Sequence, residues 1–386
     1  MTKISRLHIY LSVITFFKSI FIRKNNYQFI DSLKKLLGYN YVFPTSMCRV
    51  GFLIILEYLK INNPNKNEII IFSYNLKEMI DIPRILGFKI ILIDINMEGF
   101  VNLEILKEKI SVKTSAILMT NMFNNYNDSL KLKSIANKNK ILLIEDNAIY
   151  FGNYCIDKNK KIFAGSFGDV SIGSFGIMKN ICSLYGGYIA TNNENISLYI
   201  KQRIENFNSF PKFIYLKQVI IFLLFKILTN KIIYNYFFFY FLKFGHKYKI
   251  KFILKLAYPA EHFKKKKDIP KFYYSKMPYL TKNILNEVFK TDKYNTSSEK
   301  RKNKIEQYSH SLGNIKDIKI LNISDPYFQN FLEFPIVVKN KEKLAEYLFD
   351  NGIETKSFYY KNCEELILNK TEYKNVNSSY FEENLL

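Results

Sequence analysis

The sequence predicts an α/β fold with a mostly parallel sheet flanked by helices. From about residue 50 to 195, short apolar runs alternate with longer amphipathic runs. The short runs are rich in β-branched and aliphatic residues, as in EIIIF at Glu68–Phe72, which is typical of strands buried on both faces. Strands that alternate with helices in this way indicate βαβ units joined in one sheet.

The elements can be assigned in chain order. The predicted helices are Phe52–Lys60, Leu76–Leu86 (which ends near Gly87), Leu103–Ile110 and Ser129–Asn137. The predicted strands are Glu68–Phe72, Lys89–Asp94, Ser115–Thr120, Ile141–Glu145, Asp169–Gly173 and Gly187–Thr191. Ligands of such sheets bind beyond the carboxyl ends of the strands. The candidate site residues are therefore the polar ones that follow strands: Tyr74, Asp94, Asn121, Asp146 and Ser174.

A second, smaller α/β domain is predicted near the C-terminus. Residues 279–312 have helical spacing, Phe331–Val338 reads as a strand, and Lys341–Phe349 reads as a helix that ends at Asn351–Gly352. The expected division is a large ligand-binding α/β domain at 1–205, an apolar and basic helical insertion at 206–270, and a C-terminal small domain at 271–386. The basic run Lys264–Lys267 is expected to be a solvated loop.

Composition limits the functions to be considered. The chain has 386 residues, is 48% hydrophobic and carries a net charge of +23, so it is not a disordered protein. Abundant Lys, Asn, Ile, Phe and Tyr with no Trp indicate an AT-rich coding bias as the source of that charge, in preference to a polyanion-binding surface. No helix-turn-helix, RNA-recognition or zinc-finger signature is visible, so no nucleic-acid partner is predicted.

The cysteines and histidines give no metal site. The four cysteines contain no C-x-x-C pair and the four histidines are scattered, so no metal ligands are predicted. Few cysteines in a long chain also favour a reducing, cytoplasmic location over a disulfide framework.

The most apolar segment of the chain, residues 218–245, is predicted to form two helices. It is interrupted by Lys226, Asn230 and Lys231, and lysine is costly at the centre of a bilayer. Burial within the protein or against a partner subunit is the favoured interpretation. A peripheral membrane contact through 214–250 and a true membrane span are the alternatives.

The stretches 144–154 (IEDNAIYFGNY) and 166–193 hold the residues best suited to chemistry. Asp146 ends a buried strand and needs a cationic partner or hydrogen bonds. Lys179 lies between two strands, shortly before a Gly-Gly pair that suggests backbone close to a ligand, and Ser174 offers a hydroxyl for a phosphate. These groups match what pyridoxal phosphate (PLP) requires: a Schiff-base lysine, a carboxylate for the ring nitrogen, and phosphate donors. The alternative is a solvated lysine and a helix-capping aspartate.

The order of these motifs resembles a known family. IEDNA, then GSFGDVSIGSFGIMKN, then GGYIATN are similar to the signature of the DegT/DnrJ/StrS-like sugar aminotransferases, which are PLP-dependent enzymes of fold type I. The resemblance runs from about Phe43 to Lys361 and includes residues 81–96, 115–123 and 334–356. It implies a PLP-dependent transferase fold type I with a smaller C-terminal α/β domain, which this chain is expected to carry in truncated form.

The resemblance also assigns roles to single residues. Lys179 matches the lysine that binds the cofactor covalently, Asp146 the aspartate at the pyridine nitrogen, and Ser174 the phosphate-binding serine. Relatives that remove a sugar hydroxyl have histidine at the lysine position, so Lys179 favours transamination. For Lys179 to act as a general acid and base near neutral pH, burial and nearby cations must lower its pKa.

Other positions depart from the family pattern. Cys48 stands where a glycine of the phosphate site is expected, while Arg49 remains and is suited to pair with phosphate. The aromatic residue that stacks on the cofactor ring would fall at Leu76, and Tyr74 is the candidate substitute. Further departures are Ile149, Tyr185, Tyr274 and Lys276.

The expected function is transfer of an amino group from an amino acid, L-glutamate by resemblance, to a nucleotide-linked keto-sugar for surface polysaccharide or amino-sugar biosynthesis. The alternative is a weakened or inactive homologue with a structural or regulatory role. The resemblance further implies a homodimer, because enzymes of this fold build each active site from two subunits.

Overall fold

The computed structural model describes residues 2–22, 28–123, 126–250, 253, 265–291, 293–321, 332–356, 360–367 and 375–386. A seven-stranded sheet forms its centre, in the order β1-β10-β9-β6-β5-β2-β4. Its strands are β1 (Tyr41–Thr45), β2 (Glu68–Phe72), β4 (Lys89–Ile93), β5 (Thr114–Thr120), β6 (Leu142–Asp146), β9 (Val170–Ser174) and β10 (Gly187–Thr191). All pairings from β9 to β4 are parallel, and β10 is antiparallel to both neighbours. The predicted mostly parallel sheet is confirmed.

Helices cover both faces of this sheet. They are α2 (Gln28–Leu37), α3 (Cys48–Asn62), α4 (Lys77–Ile85), α5 (Leu103–Lys109), α6 (Tyr126–Lys138) and α7 (Glu194–Glu205). The preceding helix, α1 (Val13–Phe21), packs against the later helix Tyr279–Lys290. Alternate residues of β5 enter different cores: Leu118 packs in the cluster that contains α3, whereas Ile117 and Met119 pack in the cluster on the other face. Two buried faces explain why the strands read as unbroken apolar runs.

The C-terminal part adds smaller elements. They are α10 (Tyr279–Lys290), α11 (Lys293–Leu312), β11 (Ile318–Ile320), β12 (Ile336–Val338), α12 (Lys341–Asp350), β13 (Lys361–Asn362) and α13 (Val376–Asn384). The predicted helical stretch 279–312 is thus two helices. The predicted strand begins at Ile336, and residue 331 lies outside the described residues. The division of the chain at residues 205 and 270 stays a prediction.

The C-terminal elements are attached to the sheet at its carboxyl edge. β13 pairs with β3 (Tyr74–Asn75). Asp94, which follows β4, accepts hydrogen bonds from the backbone nitrogens of Asn377 and Ser378, both at 2.9 Å. Asp94 therefore satisfies free N–H groups at the start of α13, so its prediction as a ligand-site residue gives way to a structural role.

Residues 206–250 contain the two predicted helices, α8 (Lys212–Leu228) and α9 (Lys231–Lys247), bent by 66° at their junction. α8 is buried along one side, where Phe222 enters a core cluster and Val219 and Leu223 lie half-buried beside it. What covers its other side, a partner subunit or a membrane, stays a prediction. Among the described residues no single helix is long and apolar enough to cross a bilayer, and only α8 and α9 taken together would meet that requirement.

The run Lys264–Lys267 is not simply a solvated loop. Lys266 Nζ pairs with Glu78 Oε1 at 2.9 Å, and its backbone nitrogen donates to Asp81 Oδ1 at 3.2 Å. Residue 264 lies outside the described residues. This lysine therefore fastens the basic stretch to α4.

Candidate active site

The candidate site lies at the carboxyl edge of the sheet, where β6 and β9 end and where the connection from β1 enters α3. The structure brings three predicted residues together there: Asp146, Lys179 and Cys48, which interact electrostatically with one another. Ser174 ends the neighbouring strand. This is the edge at which parallel sheets bind ligands.

Asp146 is 1% exposed, and only one of its two carboxylate oxygens has hydrogen-bond partners among the described residues. Its Oδ1 accepts hydrogen bonds from the backbone nitrogen of Ala148 at 2.9 Å and from Cys48 Sγ at 3.6 Å. Its Oδ2 is buried and has no hydrogen-bond partner among the described residues. Burial raises the pKa of Asp146, against the opposing effects of Ala148, Lys179 and Cys48. Such an oxygen is suited to accept a hydrogen bond from a bound N–H group, preferably a cationic one.

Glu145, the preceding residue, has a different task. Its Oε1 accepts from Asn121 Nδ2 and the backbone nitrogen of Gly165, and its Oε2 from the backbone nitrogens of Phe167 and Gly168, all within 2.9 Å. Burial raises its pKa while these four hydrogen bonds act in the other direction. These contacts assign Glu145 to holding the 165–168 loop.

Lys179 lies in the turn after β9, where its backbone nitrogen donates to Gly176 O at 3.0 Å. Burial lowers the pKa of its half-buried side chain to about 8, although Asp146 and Glu333 act to raise it. The lowering required for acid–base chemistry is therefore present, and its cause is loss of solvent. The catalytic role of Lys179 stays a prediction.

Sequence reasoning missed an ion pair beside Lys179. Lys356 Nζ lies 3.1 Å from Glu333 Oε1, and the two groups act on the pKa of Lys179 in opposite directions: Glu333 raises it and Lys356 lowers it. Both come from the C-terminal part of the chain. The only sequence signal was their place at the two ends of the 334–356 stretch that resembles the family.

The start of α3 differs from the expected phosphate site. The guanidinium of Arg49 is engaged: Nη1 donates to Glu78 Oε1 and to Tyr273 Oη, both at 3.1 Å. Burial acts to raise the pKa of Glu78, but Arg49 and Lys266 lower it to about 2. The predicted bidentate pairing of Arg49 with phosphate therefore has to compete with an ion pair within the chain.

Cys48 is placed beside the carboxylate and not in an open glycine-like turn. Its thiol is buried, and burial together with Asp146 raises its pKa, so it remains a thiol that donates to Asp146 Oδ1. The contact orients the carboxylate and leaves Oδ2 for another partner. Cys48 thus contributes to the site through Asp146.

Two serines are available for a phosphate. Ser174 Oγ accepts a 3.3 Å hydrogen bond from the backbone nitrogen of Gly176. Ser46 was not predicted; it precedes α3, and its buried Oγ has no hydrogen-bond partner among the described residues. A helix start with an unsatisfied hydroxyl is a suitable anion site. The signal available in the sequence was the TSMCR stretch itself.

Tyr74 packs against aromatic side chains from the C-terminal part of the chain. It is fully buried, and its ring packs on Tyr360 and Phe381 with centroids 6.0 and 5.9 Å away. These contacts explain its burial without a cofactor, so its stacking role stays a prediction. Tyr74 instead joins the sheet edge to the C-terminal elements.

Three of the four remaining departures take part in packing within the chain. Ile149 belongs to the core, and Tyr185 stacks on Phe210 at 4.9 Å. Tyr274 packs edge-on against Phe207, and Lys276 is exposed.

The Gly-Gly pair has a packing role. A Cβ on Gly187 would lie 2.6 Å from the backbone nitrogen of Cys48, and Gly186 has φ +124. The pair lets β10 lie directly against the start of α3. The Gly-Gly pair was predicted to bring the backbone close to a ligand. In the structure it brings the backbone of β10 close to the start of α3, at Cys48.

The chain is similar to known proteins both in sequence and in structure. The model of the DegT/DnrJ/EryC1/StrS aminotransferase family matches residues 17–210, which is half of the chain. The chain belongs to this family. Among curated relatives, an uncharacterized protein of Methanocaldococcus jannaschii is 27% identical over 45% of this chain and 44% of its own length. GDP-perosamine synthase of Vibrio cholerae is 34% identical over 25% of each chain. The chain thus matches less than half the length of these relatives.

Solved structures of the family share the fold. The Helicobacter pylori aminotransferase PseC, involved in the biosynthesis of pseudoaminic acid, has a TM-score of 0.71 at 14% identity, with 100% of this chain and 91% of that chain covered. Escherichia coli GDP-4-keto-6-deoxy-D-mannose-3-dehydratase with bound hydrated PLP has a TM-score of 0.69 at 19% identity, with coverage of 100% and 93%. The PLP-dependent fold type I is confirmed.

The residues at the sheet edge fit the cofactor of this family. In the part of the chain that the structure describes, Asp146 Oδ2 and Ser46 Oγ have no hydrogen-bond partner, so the first can accept a pyridinium N–H and the second can donate to a phosphate at a helix start. The amine of Lys179 interacts electrostatically with the Asp146 carboxylate.

Proposed function

We propose that this chain is a PLP-dependent aminotransferase that moves an amino group from an amino acid, L-glutamate, to a nucleotide-linked keto-sugar. The product would serve surface polysaccharide or amino-sugar biosynthesis. The observation that carries the proposal is the pairing of Lys179, with its lowered pKa, and the half-satisfied carboxylate of Asp146 in one site. The relatives named GDP-perosamine synthase support the sugar class.

Bound PLP would act as the electron sink for the carbon that gains or loses a proton. Asp146 would hold the ring nitrogen through Oδ2, and its negative charge would keep that nitrogen protonated. Cys48 and the backbone nitrogen of Ala148 fix the carboxylate through Oδ1. Ser46 and Ser174 would hold phosphate oxygens near the start of α3.

Lys179 would move the proton. With a pKa of about 8, roughly one in ten of these amines is neutral at pH 7, against about one in three thousand at the ordinary lysine pKa. Its Nζ would take the proton from the α-carbon of the amino-acid donor in the first half-reaction. In the second half-reaction it would deliver a proton to the sugar carbon that gains the amino group. The sugar would receive its amino group through the same steps in reverse.

The substrates proposed are anions, and the charge of the chain suits them. A net charge of +23 raises the local concentration of carboxylates and nucleotide diphosphates. Lys356, half-buried beside Glu333 and acting on Lys179, lies where a donor carboxylate could exchange for Glu333.

The working unit is proposed to be a cytoplasmic homodimer. The family fold supports the dimer, and four free, buried cysteines are compatible with a reducing compartment. Sedimentation velocity of the purified protein tests the assembly, and a monomer at micromolar concentration would remove this part of the proposal.

The direct test combines PLP, L-glutamate and a panel of nucleotide-linked keto-sugars with wild-type protein and Lys179→Ala. We expect wild type to show the visible absorption of covalently bound PLP and to form 2-oxoglutarate, and the variant to lose both. Lys201→Ala, on the exposed face of α7, is the matched control and should behave as wild type. If wild type binds PLP but turns over no sugar in the panel, the weakened-homologue alternative gains; if Lys179→Ala turns over normally, the site assignment is wrong.

A further inference from the structure

Helix α8 presents an apolar stripe to solvent. Phe213, Leu216 and Ile220 are 80%, 56% and 57% exposed, and Leu224 and Ile227 continue the same side of the helix. The spacing of three to four residues places these side chains on one face. A soluble monomer rarely exposes contiguous apolar surface of this kind unless it serves an interaction.

Helix α9, which follows the bend, also exposes apolar side chains. Tyr236, Phe237, Tyr240, Phe241 and Phe244 are exposed at helical spacing. Three of the five are Phe and two are Tyr. Tyrosine combines an apolar ring with a polar hydroxyl, which suits the boundary between a bilayer and water. We name the exposed sides of α8 and α9, together with the exposed lysines beside them, the apolar-basic face.

The opposite sides of both helices are anchored in the protein. Phe222 of α8 packs on Phe16 of α1 at 5.1 Å, and Phe239 of α9 packs on Phe349 of α12 at 5.1 Å. The outward stripes are therefore a fixed feature of the fold and do not result from unpacked helices.

The segment is also uniformly basic. Between residues 206 and 260 the sequence has nine lysines and no aspartate or glutamate. Lys212, Lys217, Lys231, Lys247 and Lys249 are exposed on α8, on α9 and in the turn after it. Apolar side chains flanked by lysines are the pattern of a helix that lies in the interface of an anionic membrane.

A cationic cavity lies at the bend between the two helices. Lys3, Lys226 and Lys231 line it, together with His8, Thr229 and Asn235. Burial and the neighbouring cations lower the pKa of His8, so its imidazole adds no positive charge near pH 7. Lys226 is committed to Ile9 O at 2.6 Å, whereas Lys231 is exposed. Positive side chains at this position add to the attraction of an anionic surface.

We infer that the apolar-basic face docks on the surface of an anionic phospholipid bilayer, with α8 and α9 lying in the interface. Among the described residues neither helix alone is long and apolar enough to cross a bilayer, and a bend of 66° separates them, which favours an interfacial position over a span. A second copy of the chain is the less favourable occupant, because it would bring an equally basic surface into contact.

The test is cosedimentation of the full-length protein with vesicles of phosphatidylcholine alone and of phosphatidylcholine mixed with phosphatidylglycerol. We expect binding to the mixed vesicles, little binding to the neutral ones, and weaker binding as sodium chloride rises. Two triple variants should each weaken binding by on the order of tenfold or more: Phe213→Ser with Leu216→Ser and Ile220→Ser, and Lys212→Gln with Lys217→Gln and Lys231→Gln.

Matched controls lie elsewhere on the surface. Ile61→Ser with Val112→Ser and Val376→Ser removes equally exposed apolar groups, and Lys35→Gln with Lys160→Gln and Lys201→Gln removes equal charge; both should bind as wild type. The proposal is overturned if wild type stays in the supernatant with mixed vesicles at low salt, or if the controls lose as much binding as the face variants. It is also overturned if the apolar variant dissociates a wild-type dimer that shows no affinity for vesicles, since the face would then join two copies.

Discussion

The sheet edge and the apolar-basic face are opposite in polarity. At the sheet edge, two buried polar atoms, Asp146 Oδ2 and Ser46 Oγ, have no hydrogen-bond partner among the residues that the structure describes. On the apolar-basic face, rings and aliphatic chains such as Phe213 point into water. Each arrangement costs folding free energy, because polar groups favour water and apolar groups avoid it. The two proposals assign a bound partner to each region: PLP to the sheet edge and an anionic bilayer to the apolar-basic face.

The two regions also differ in support. The sheet edge is held by specific contacts: Glu145 fixes the 165–168 loop with hydrogen bonds, and Gly187 lets β10 pack against the start of α3. The helices of the apolar-basic face are held on one side only, by contacts such as Phe222 with Phe16. Chemistry requires positions fixed within fractions of an ångström, whereas adsorption to a soft surface does not. The match to the family model ends at residue 210, just before α8 begins.

The largest expected effect concerns the carboxylate at the sheet edge. Asp146→Asn keeps the shape but removes the charge opposite the ring nitrogen, so the rate of the glutamate half-reaction should fall by about 10³- to 10⁴-fold. Glu145→Gln is the matched neighbour: it places an amide donor against four donors and should lower stability by about 2–4 kcal/mol. Stopped-flow absorbance and thermal unfolding separate the two.

One result would reverse the roles assigned to Asp146 and Glu145. If Asp146→Asn unfolds at a lower temperature by as much as Glu145→Gln and retains its rate, the two carboxylates have been assigned to each other's tasks.

The two sides of α8 should respond differently to truncation. Phe222→Ala opens a cavity between α8 and α1 and should cost about 3–5 kcal/mol. Phe213→Ala, on the exposed side, should change stability by less than about 0.5 kcal/mol. Urea unfolding of both variants without vesicles measures the difference. Equal losses would mean that the outer stripe is part of the core and would weaken the docking proposal.

Acid should weaken the start of α3. The folded pKa of Glu78 is about 2, below the usual value for glutamate of about 4.3. A lowered carboxylate pKa stabilises the fold above the unfolded pKa, and that contribution is lost as the pH falls through the folded pKa. We expect Glu78 to add about 2–3 kcal/mol at pH 7 and to lose it between about pH 5 and 2.

The measurement is the difference in unfolding free energy between wild type and Glu78→Gln across this range. The difference should shrink as the pH falls. A constant difference would show that the ion pair with Arg49 does not titrate as the geometry implies.

Many strands could be predicted because their positions are determined by residues close together in the sequence. Strand Glu68–Phe72 was assigned to the residue and Gly187–Thr191 likewise, since runs of β-branched residues bounded by turns leave little choice. The start of α3 was placed four residues late, at Phe52 instead of Cys48, because no capping side chain marks it. β1 and its antiparallel pairing with β10 were missed, as they depend on packing between distant segments.

The site was predicted only where a motif fixed it. Asp146 and Lys179 were found because the strand end and the family order both point to them. Glu333 and Lys356 were not, because their effect on Lys179 arises from the tertiary fold and neither has a characteristic neighbour. The pairing of Arg49 with Glu78 was missed for the same reason: a pattern identifies an arginine suited to phosphate but not the carboxylate that competes for it.

The smallest expected effect concerns the pKa of Lys179, on which Glu333 and Lys356 act in opposite directions. Glu333→Gln removes a negative charge beside Lys179, so the pKa of Lys179 should fall, and Lys356→Met removes a positive charge and should raise it, each by less than about one unit. Since the neutral amine combines with PLP, the pH at which the apoprotein captures PLP at half its maximal rate should move down in the first variant and up in the second. Lys319→Met, which removes the lysine paired with Glu98, is the control and should leave the profile unchanged. Shifts in the same direction for both variants would mean that the pair acts by shaping the site and not through its charges, because a loss of packing cannot distinguish the sign of the side chain that was removed.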